Sequence, residues 1–112
     1  RANAYLFAGK YSLAIADCNK AIKLKPDYSE AYHNRGAAYN GMGKYDKAIS
    51  DFNKAIELNP KSAMSFYGRA AAYFYKAEYN ESWADVYKTQ GLGFDVDPKF
   101  LEDLKKHSKL KN

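Results

Sequence analysis

The sequence predicts an all-α fold in which pairs of antiparallel helices stack into a solenoid. Most of the sequence between Pro26 and Pro60 recurs at a step of 34 residues, and a fixed period of this length identifies a repeat protein. Each period holds two stretches whose apolar residues have helical spacing. A glycine-containing segment separates the two stretches and a proline follows the second, which is the pattern of a helical hairpin.

Small residues and tyrosines recur at fixed positions of the repeat. A small residue is expected where two helices approach closely, and tyrosine rings are expected to fill the space between stacked units. The recurring residues are Ala2, Gly36 and Ala70 at one small position, Tyr5, Tyr39 and Tyr73 at one tyrosine position, and Tyr11, Tyr45 and Tyr79 at another. The high tyrosine count is therefore interpreted mainly as packing.

Six helices are predicted within the repeats. They cover residues 1–8, 11–24, 29–41, 45–58, 63–75 and 79–91. The helix at 45–58 has the clearest amphipathic stripe, with apolar residues at i, i+3, i+4 and i+7. Residues 40–43 contain two glycines and predict a tight turn. Asp27 and Glu30 resemble a capping box, which predicts that the Asp27 side chain caps the helix beginning at residue 29.

The repeat pattern ends after the third unit and a different helix follows. Gly91 and Gly93 interrupt the chain, and Asp97-Pro98 has the residues of a helix start, with Asp97 as N-cap. Residues 98–110 combine an apolar stripe with many lysines, so they are predicted to cap the solenoid. The predicted domains are a repeat domain at 1–97, with units 1–26, 27–60 and 61–97, and a basic capping helix and tail at 98–112. The first unit lacks the opening of its first helix, and the third is degenerate at its end.

The composition and the charge distribution disfavour some classes of partner. The net charge is +5, and residues 99–112 hold five lysines against two acidic residues, so the basic excess reads as a solubilising cap and makes nucleic acid an unfavoured partner. No apolar run approaches the ~18 residues of a membrane span. The single cysteine, Cys18, forms no internal disulfide. We expect a cytoplasmic protein, with an upstream targeting segment left open.

No catalytic or metal-binding pattern is present in the sequence. His33 and His107 are the only histidines, and neither belongs to a metal-ligand motif. Cys18 shares its repeat position with Phe52 and Val86 and is interpreted as a small buried hydrophobe. The aspartates that recur every 34 residues are interpreted as a solvent-facing scaffold position, and they are Asp17, Asp51 and Asp85. We expect no enzyme activity and no cofactor.

Taken together, the recurring residues closely resemble the tetratricopeptide repeat. The residues that carry this resemblance in the second unit are Ala31, Tyr32, Gly36, Ala38, Tyr39, Gly43, Tyr45, Ala48, Phe52, Ala55, Leu58 and Pro60. The resemblance covers residues 1–92 and weakens after Ser82. It implies a right-handed superhelix of helix pairs, in which the first helix of each pair lines a concave groove that binds an extended peptide or a partner helix.

The resemblance also implies which residues line the groove. They are Asn3 and Phe7 in the first unit, Glu30, His33, Asn34, Ala37 and Asn40 in the second, and Met64, Tyr67, Ala71, Phe74 and Tyr75 in the third. The groove is then expected to be polar in the middle and aromatic towards its C-terminal end. Such a surface suits a ligand with a hydrogen-bonding backbone and one apolar anchor.

One subfamily of these proteins binds the C-terminal carboxylate of chaperone tails through two asparagines and three basic residues. Asn3 and Asn34 match the asparagines, whereas Met64 and Gly68 stand at two of the basic positions. Arg69 is adjacent to Gly68, but one residue along a helix turns a side chain by about 100°. Each charge-assisted bond that is lost removes about 1.5–3 kcal/mol, so chaperone-tail binding through an incomplete carboxylate clamp is kept as an alternative.

The prediction from these observations is a protein–protein interaction adaptor that binds a partner peptide or helix in its groove. One alternative is self-assembly into a homo-oligomer through the uncovered N-terminal end. Another is binding of an acidic ligand or nucleic acid by the basic residues of the tail, which are Lys105, Lys106, Lys109 and Lys111.

Overall fold

A computed structural model describes residues 2–108 of the chain and the side chains of residues 9–108. This part of the chain contains α-helices and no strand. The helices are α1 Ala2–Leu24, α2 Ser29–Gly41, α3 Tyr45–Leu58, α4 Ala63–Tyr75, α5 Tyr79–Gly91 and α6 Pro98–His107. The bounds of α2 to α5 are those that the repeat predicts.

The helices form two hairpins, α2 with α3 and α4 with α5, which stack on each other. The first helices of the two hairpins, α2 and α4, also contact each other and share one face of the stack, while α1 packs against α2. Gly43 in the α2–α3 turn has a φ of 78°, and Ala77 in the equivalent α4–α5 turn has a φ of 62°. Alanine disfavours this left-handed conformation, so the packing of full-length helices imposes the second turn.

The prediction of two helices before residue 25 is wrong, because α1 runs without a break from Ala2 to Leu24. Gly9 corresponds by register to Gly43, yet it lies inside the helix. Leu6 and Phe7 stand where the second unit has Asn40 and Gly41, so the sequence there favours a helix.

The predicted capping role of Asp27 is also wrong. The N-cap of α2 is Tyr28, whose side chain makes no capping hydrogen bond. The Ser29 hydroxyl instead donates to the backbone oxygen of Ala55, over 2.9 Å, and thereby ties the start of α2 to the end of α3. The other predicted cap is confirmed: the Asp97 side chain accepts a hydrogen bond from the backbone nitrogen of Lys99, and Pro98 opens α6.

The capping helix α6 covers the end of the last hairpin with its apolar face. Leu104 is fully buried in a cluster with Ala70, Val86 and Val96, and Phe100 and Leu101 pack around it. The Trp83 indole nitrogen donates to the Ser108 hydroxyl over 2.8 Å. The basic residues that follow in the last turn lie on the solvent side of the helix.

Two of the recurring aspartates are buried, which corrects their interpretation as solvent-facing. Asp51 and Asp85 are 5% and 4% exposed. Arg35 donates two hydrogen bonds to Asp51, of 2.8 and 2.7 Å, and Arg69 donates two of 2.8 Å to Asp85. Asp17, at the same repeat position in α1, is exposed as predicted. A buried carboxylate needs such a partner, because desolvating an unpaired charge is costly.

The same two arginines connect successive units. Arg35 also donates to the side-chain oxygen of Asn19 in α1, and Arg69 donates to that of Asn53 in α3. We call these bonds the arginine ladder. The hydrogen bonds that Arg35 and Arg69 donate to Asp51 and Asp85 raise the pKa of the two arginines. Each arginine therefore fixes a helix of its own unit and one of the unit before.

Candidate functional site

Two adjoining cavities lie on the face that α2 and α4 share. The polar cavity has a volume of about 580 Å³ and is lined by Lys25, Asp27, Tyr28, Ser29, Glu30, His33, Asn34, Asn59, Ser62 and Met64. The apolar cavity has a volume of about 270 Å³ and is lined by His33, Ala37, Phe52, Met64, Tyr67, Gly68 and Ala71. His33 and Met64 line both, so the two cavities form one continuous groove.

Phe52 forms the floor of the apolar cavity. Its ring is fully buried and lies against two glycines, Gly36 on α2 and Gly68 on α4. A Cβ atom built on Gly68 would lie 2.5 Å from the Phe52 Cζ atom, which is closer than real side chains approach. The cavity above the ring therefore exists because α4 carries no side chain at this point.

His33 lies at the junction of the two cavities, and a pair of serine hydroxyls holds its ring in place. The Ser62 hydroxyl donates to Ser65 over 2.9 Å, and the Ser65 hydroxyl lies 3.0 Å from Nδ1 of His33. The Ser65 proton is then free to donate to Nδ1 of a neutral imidazole, which leaves Nε2–H as the donor of the ring. The pKa of His33 is lowered by burial, and Glu30 partly offsets this effect.

The lowered pKa of His33 predicts a loss of stability in mild acid. The unfolded histidine titrates near its ordinary value of 6.5. Because the folded pKa lies below that value, the unfolded chain binds more protons in the window between the two, and the free energy of unfolding falls as the pH drops through it. We expect the urea midpoint to fall less between about pH 7.5 and about pH 5.5 in His33→Gln than in the wild type.

A matched control for this prediction is His107→Gln, because His107 is exposed at the end of α6. This variant should retain the acid sensitivity of the wild type. Equal loss of stability in His33→Gln and the wild type would show that His33 is not the group that titrates.

Asn34 and Asn40 have different surroundings on α2. Asn34 is exposed and lines the polar cavity. The Asn40 amide nitrogen donates to the backbone oxygen of Gly68 over 3.0 Å and so joins α2 to α4. The Asn40 side-chain oxygen is buried and has no hydrogen-bond partner among the described residues. The predicted contact of Asn40 with a ligand stays a prediction, since neither cavity includes this residue in its described lining.

The aromatic residues expected at the C-terminal end of the groove are distributed over two surfaces. Tyr67 lines the apolar cavity, and its hydroxyl accepts a hydrogen bond from the backbone nitrogen of Asp97 over 3.2 Å. Tyr75 is 62% exposed and stacks on Tyr45, with ring centroids 5.3 Å apart. Phe74 packs under α6, in an aromatic cluster with Phe100. Of the three, only Tyr67 contributes to the described lining of the groove.

Some predicted residues lie beyond what the structure describes. Asn3 and Phe7 fall in the part of α1 whose side chains are outside the described residues, as do Lys109 and Lys111 of the tail. Lys105 and Lys106 are exposed on α6. Arg69, the cation nearest to the two substituted clamp positions in sequence, is committed to Asp85 and Asn53.

The described residues hold neither a membrane-spanning helix nor a cluster of metal-ligating side chains. None of these helices is long and apolar enough to cross a membrane. Groups of three or more His, Cys, Asp or Glu side chains suited to hold a metal ion were not found in this range either.

The sequence reasoning missed the groove floor and the serines beneath His33. Phe52 lies in the core, as its apolar repeat position predicts, and it is the largest residue at that position, where the other units have Cys18 and Val86. Gly68 stands at the position of Asn34. The signal available in the sequence was the pairing of a large core residue, Phe52, with a glycine, Gly68, at a position where the second unit has a side chain. Ser65 offered none, since a buried hydroxyl is recognised only through its partners.

Comparisons with known proteins identify relatives that share the helical repeat of this chain. A family model described as tetratricopeptide repeat matches residues 29–62, and one described as TPR repeat matches residues 2–43. The chain is 50% identical over 38 residues to the protein SGT1 homolog of Oryza sativa subsp. japonica, a segment that is 34% of this chain and 10% of that protein. It is also 50% identical over 38 residues to RNA polymerase II-associated protein 3 of Xenopus laevis, covering 34% of this chain and 6% of that protein.

Solved structures resemble nearly the whole chain. The first TPR of Spaghetti (RPAP3), bound to the HSP90 peptide SRMEEVD, is 28% identical and has a TM-score of 0.82, with 97% of this chain and 86% of that chain covered. The second TPR domain of human RPAP3, in complex with the HSP70 peptide SGPTIEEVD, is 25% identical and has a TM-score of 0.78, with 95% and 88% covered.

Proposed function

Since this chain belongs to the tetratricopeptide repeat family, we propose that the groove formed by α2 and α4 binds an extended segment of a partner protein, so that the chain acts as an interaction adaptor. The observation that carries the proposal is the continuity of the two cavities through His33 and Met64. A continuous groove with polar and apolar sections accommodates the backbone and the side chains of an extended peptide.

The peptide complexes of similar proteins support this class of ligand. Spaghetti and human RPAP3 hold chaperone peptides in domains that align with 97% and 95% of this chain. The curated relatives are much longer than the segment that they share with this chain. The partner of this chain is therefore proposed by class, as a peptide segment, and not by name.

Binding of a random peptide library tests the proposal. Decapeptides are presented in two forms, one with a free C-terminal carboxylate and one amidated. Asn34→Ala is expected to weaken the selected peptides about tenfold, because an exposed amide that contacts the ligand is removed. The oligomeric state, measured by light scattering, should not change.

Asn80→Ala is the matched control, because Asn80 is exposed on α5 and belongs to neither described cavity lining. It should leave the affinity of the selected peptides unaltered. If no peptide of either form binds the wild type, the adaptor proposal is wrong. If Asn34→Ala and Asn80→Ala behave alike, the ligand lies elsewhere on the surface.

The alternatives from the sequence stay predictions with their own tests. Leu13 and Leu24 of α1 are 69% and 87% exposed, and eleven residues along a helix brings them to nearly the same face. Self-assembly through this end predicts a mass that rises with protein concentration. Binding of an acidic ligand by the tail predicts affinity that falls steeply with salt.

A further inference from the structure

The apolar cavity is the section of the groove that determines which ligand fits. The described residues that line it carry no ionised group at neutral pH, because His33 is held neutral by burial. Its volume of about 270 Å³ is several times the ~30 Å³ share of one water molecule. That is enough space for one large apolar side chain. Met64 stands at its rim with 54% of its surface exposed, so an inserted side chain would cover an apolar surface that is now in water.

The charges of the polar cavity have the opposite sign to those of a carboxylate site. Its described lining holds Asp27 and Glu30 against Lys25. Arg69 adds no positive charge to this cavity, because its guanidinium is hydrogen-bonded to Asp85 and Asn53 on another side of α4. The described lining of the polar cavity is therefore weakly acidic, and this favours a basic ligand group over an acidic one.

The spacing along α2 relates these two features. Glu30 and Ala37 lie seven residues apart on one helix, which is about 10 Å at 1.5 Å per residue. An extended peptide advances about 3.3 Å per residue. A ligand that follows α2 therefore spans the distance between the acidic end and the apolar cavity with about three residues.

We infer that the groove recognises an internal peptide segment that inserts one large apolar side chain beside Phe52 and Met64 and places a lysine or arginine, two to four residues away, beside Glu30. This inference rests on the proposed function and specifies its ligand. It excludes recognition of an acidic C-terminal tail as the principal mode of binding.

The test uses the two-form decapeptide library with the wild type and two groove variants. Ala37→Trp fills the apolar cavity from an exposed position of α2, and Glu30→Lys reverses the charge at the acidic end. Wild-type binders should carry one large apolar residue with a basic residue two to four positions away, in both library forms. Ala37→Trp should weaken them at least tenfold, and Glu30→Lys should weaken them at least fivefold and select acidic residues at the basic position.

Matched controls are available on α5. Ala84→Trp adds the same side chain at an exposed alanine outside the described groove, and Glu81→Lys reverses a charge that, like Glu30, lies exposed in the first turn of its helix. Both should bind the selected peptides as the wild type does. Circular dichroism establishes that each variant is folded. If Ala37→Trp does not fold, Met64→Glu provides a second test, because it places a charge at the exposed rim of the apolar cavity.

Each possible result of the library experiment supports or overturns one of the two proposals. Binders that require a free acidic C-terminus overturn the inference and leave the adaptor function standing. The same holds for binders that are insensitive to Ala37→Trp and Glu30→Lys but lose affinity in Asn34→Ala. A library from which nothing binds the wild type overturns the adaptor function, and the inference with it.

Discussion

Asp85→Ala is expected to lower the free energy of unfolding by about 3 kcal/mol, the lower end of the range for breaking a buried ion pair. The Asp85 side chain is 5% exposed, and its partner Arg69 is 21% exposed. Removing the carboxylate leaves a guanidinium that is mostly desolvated and has lost two charge-assisted hydrogen bonds. Partial exposure of Arg69 allows some hydration, which keeps the loss below the upper end of that range.

Asp17→Ala is the matched control for this change, because Asp17 holds the same repeat position and is exposed. It should alter the free energy of unfolding by no more than about 0.5 kcal/mol. Urea unfolding followed by circular dichroism gives both values. Similar losses in the two variants would mean that burial of the Arg69–Asp85 pair contributes nothing to stability.

Gly68→Arg is expected to lower the free energy of unfolding by about 2–3 kcal/mol, in the upper part of the range for overpacking. The Cβ atom of any side chain here would lie 2.5 Å from Cζ of Phe52 and 2.7 Å from its Cε1. Phe52 is fully buried, so a shift of its ring would disturb other atoms of a close-packed core. The gain in helix propensity over glycine, about 0.8 kcal/mol, offsets only part of this strain.

A double-mutant cycle with Phe52→Val identifies the cause. Valine is already present at the equivalent position of the next unit, as Val86, so the smaller core residue suits this fold. The strain should be absent from Phe52→Val/Gly68→Arg, with a coupling energy of about 1–3 kcal/mol between the two positions. Gly9→Ala is the control for propensity, because no atom of the described residues lies within 4 Å of its added Cβ, and it should stabilise α1. Additive effects at positions 52 and 68 would show that the clash is not the source of the loss.

The contact between Gly68 and Phe52 also bears on chaperone tails. The peptides held by Spaghetti and human RPAP3 both end in Glu-Glu-Val-Asp, and an acidic tail calls for cations. In this chain Met64 and Gly68 stand at two of the positions that resemblance to tail-binding proteins assigns to basic residues. The buried Phe52 ring occupies the space that an arginine at 68 would need. The departure is therefore built into the core and is not a surface substitution alone.

The sequence predicted the architecture well wherever three units repeat one pattern. The bounds of α2 to α5 followed from the 34-residue period, because the period registers each helix against two others. The same register predicted a break in the helix near Gly9, and that prediction is wrong. A turn depends on two helices that are long enough to pack against each other. The residue at the turn does not reveal this requirement: Ala77 adopts a left-handed conformation in the α4–α5 turn although it is not a glycine.

The groove was predicted less completely than the fold. Glu30, His33, Asn34, Met64 and Tyr67 line the two cavities, and their contact with a ligand stays a prediction. Tyr75 was placed by helical register alone, yet it has an aromatic partner on α3. The 34-residue recurrence predicts one shared role for the aspartates, but the role of two of them depends on an arginine that lies 16 residues before each. Recurrence identifies a structural position, and only the paired residue reveals that the position is buried.

The arginine ladder has a consequence for how such a chain can change length in evolution. Arg69 lies 16 residues from Asn53 behind it and 16 residues from Asp85 ahead of it, and Arg35 has the same offsets to Asn19 and Asp51. Excision of residues 27–60 would bring Asn19 to the offset that Asn53 now has from Arg69, and duplication of that segment would create one more identical set. Gain or loss of a whole 34-residue cassette therefore leaves no buried charge without its partner, whereas loss of α2 alone would remove Arg35 and leave Asp51 unpaired.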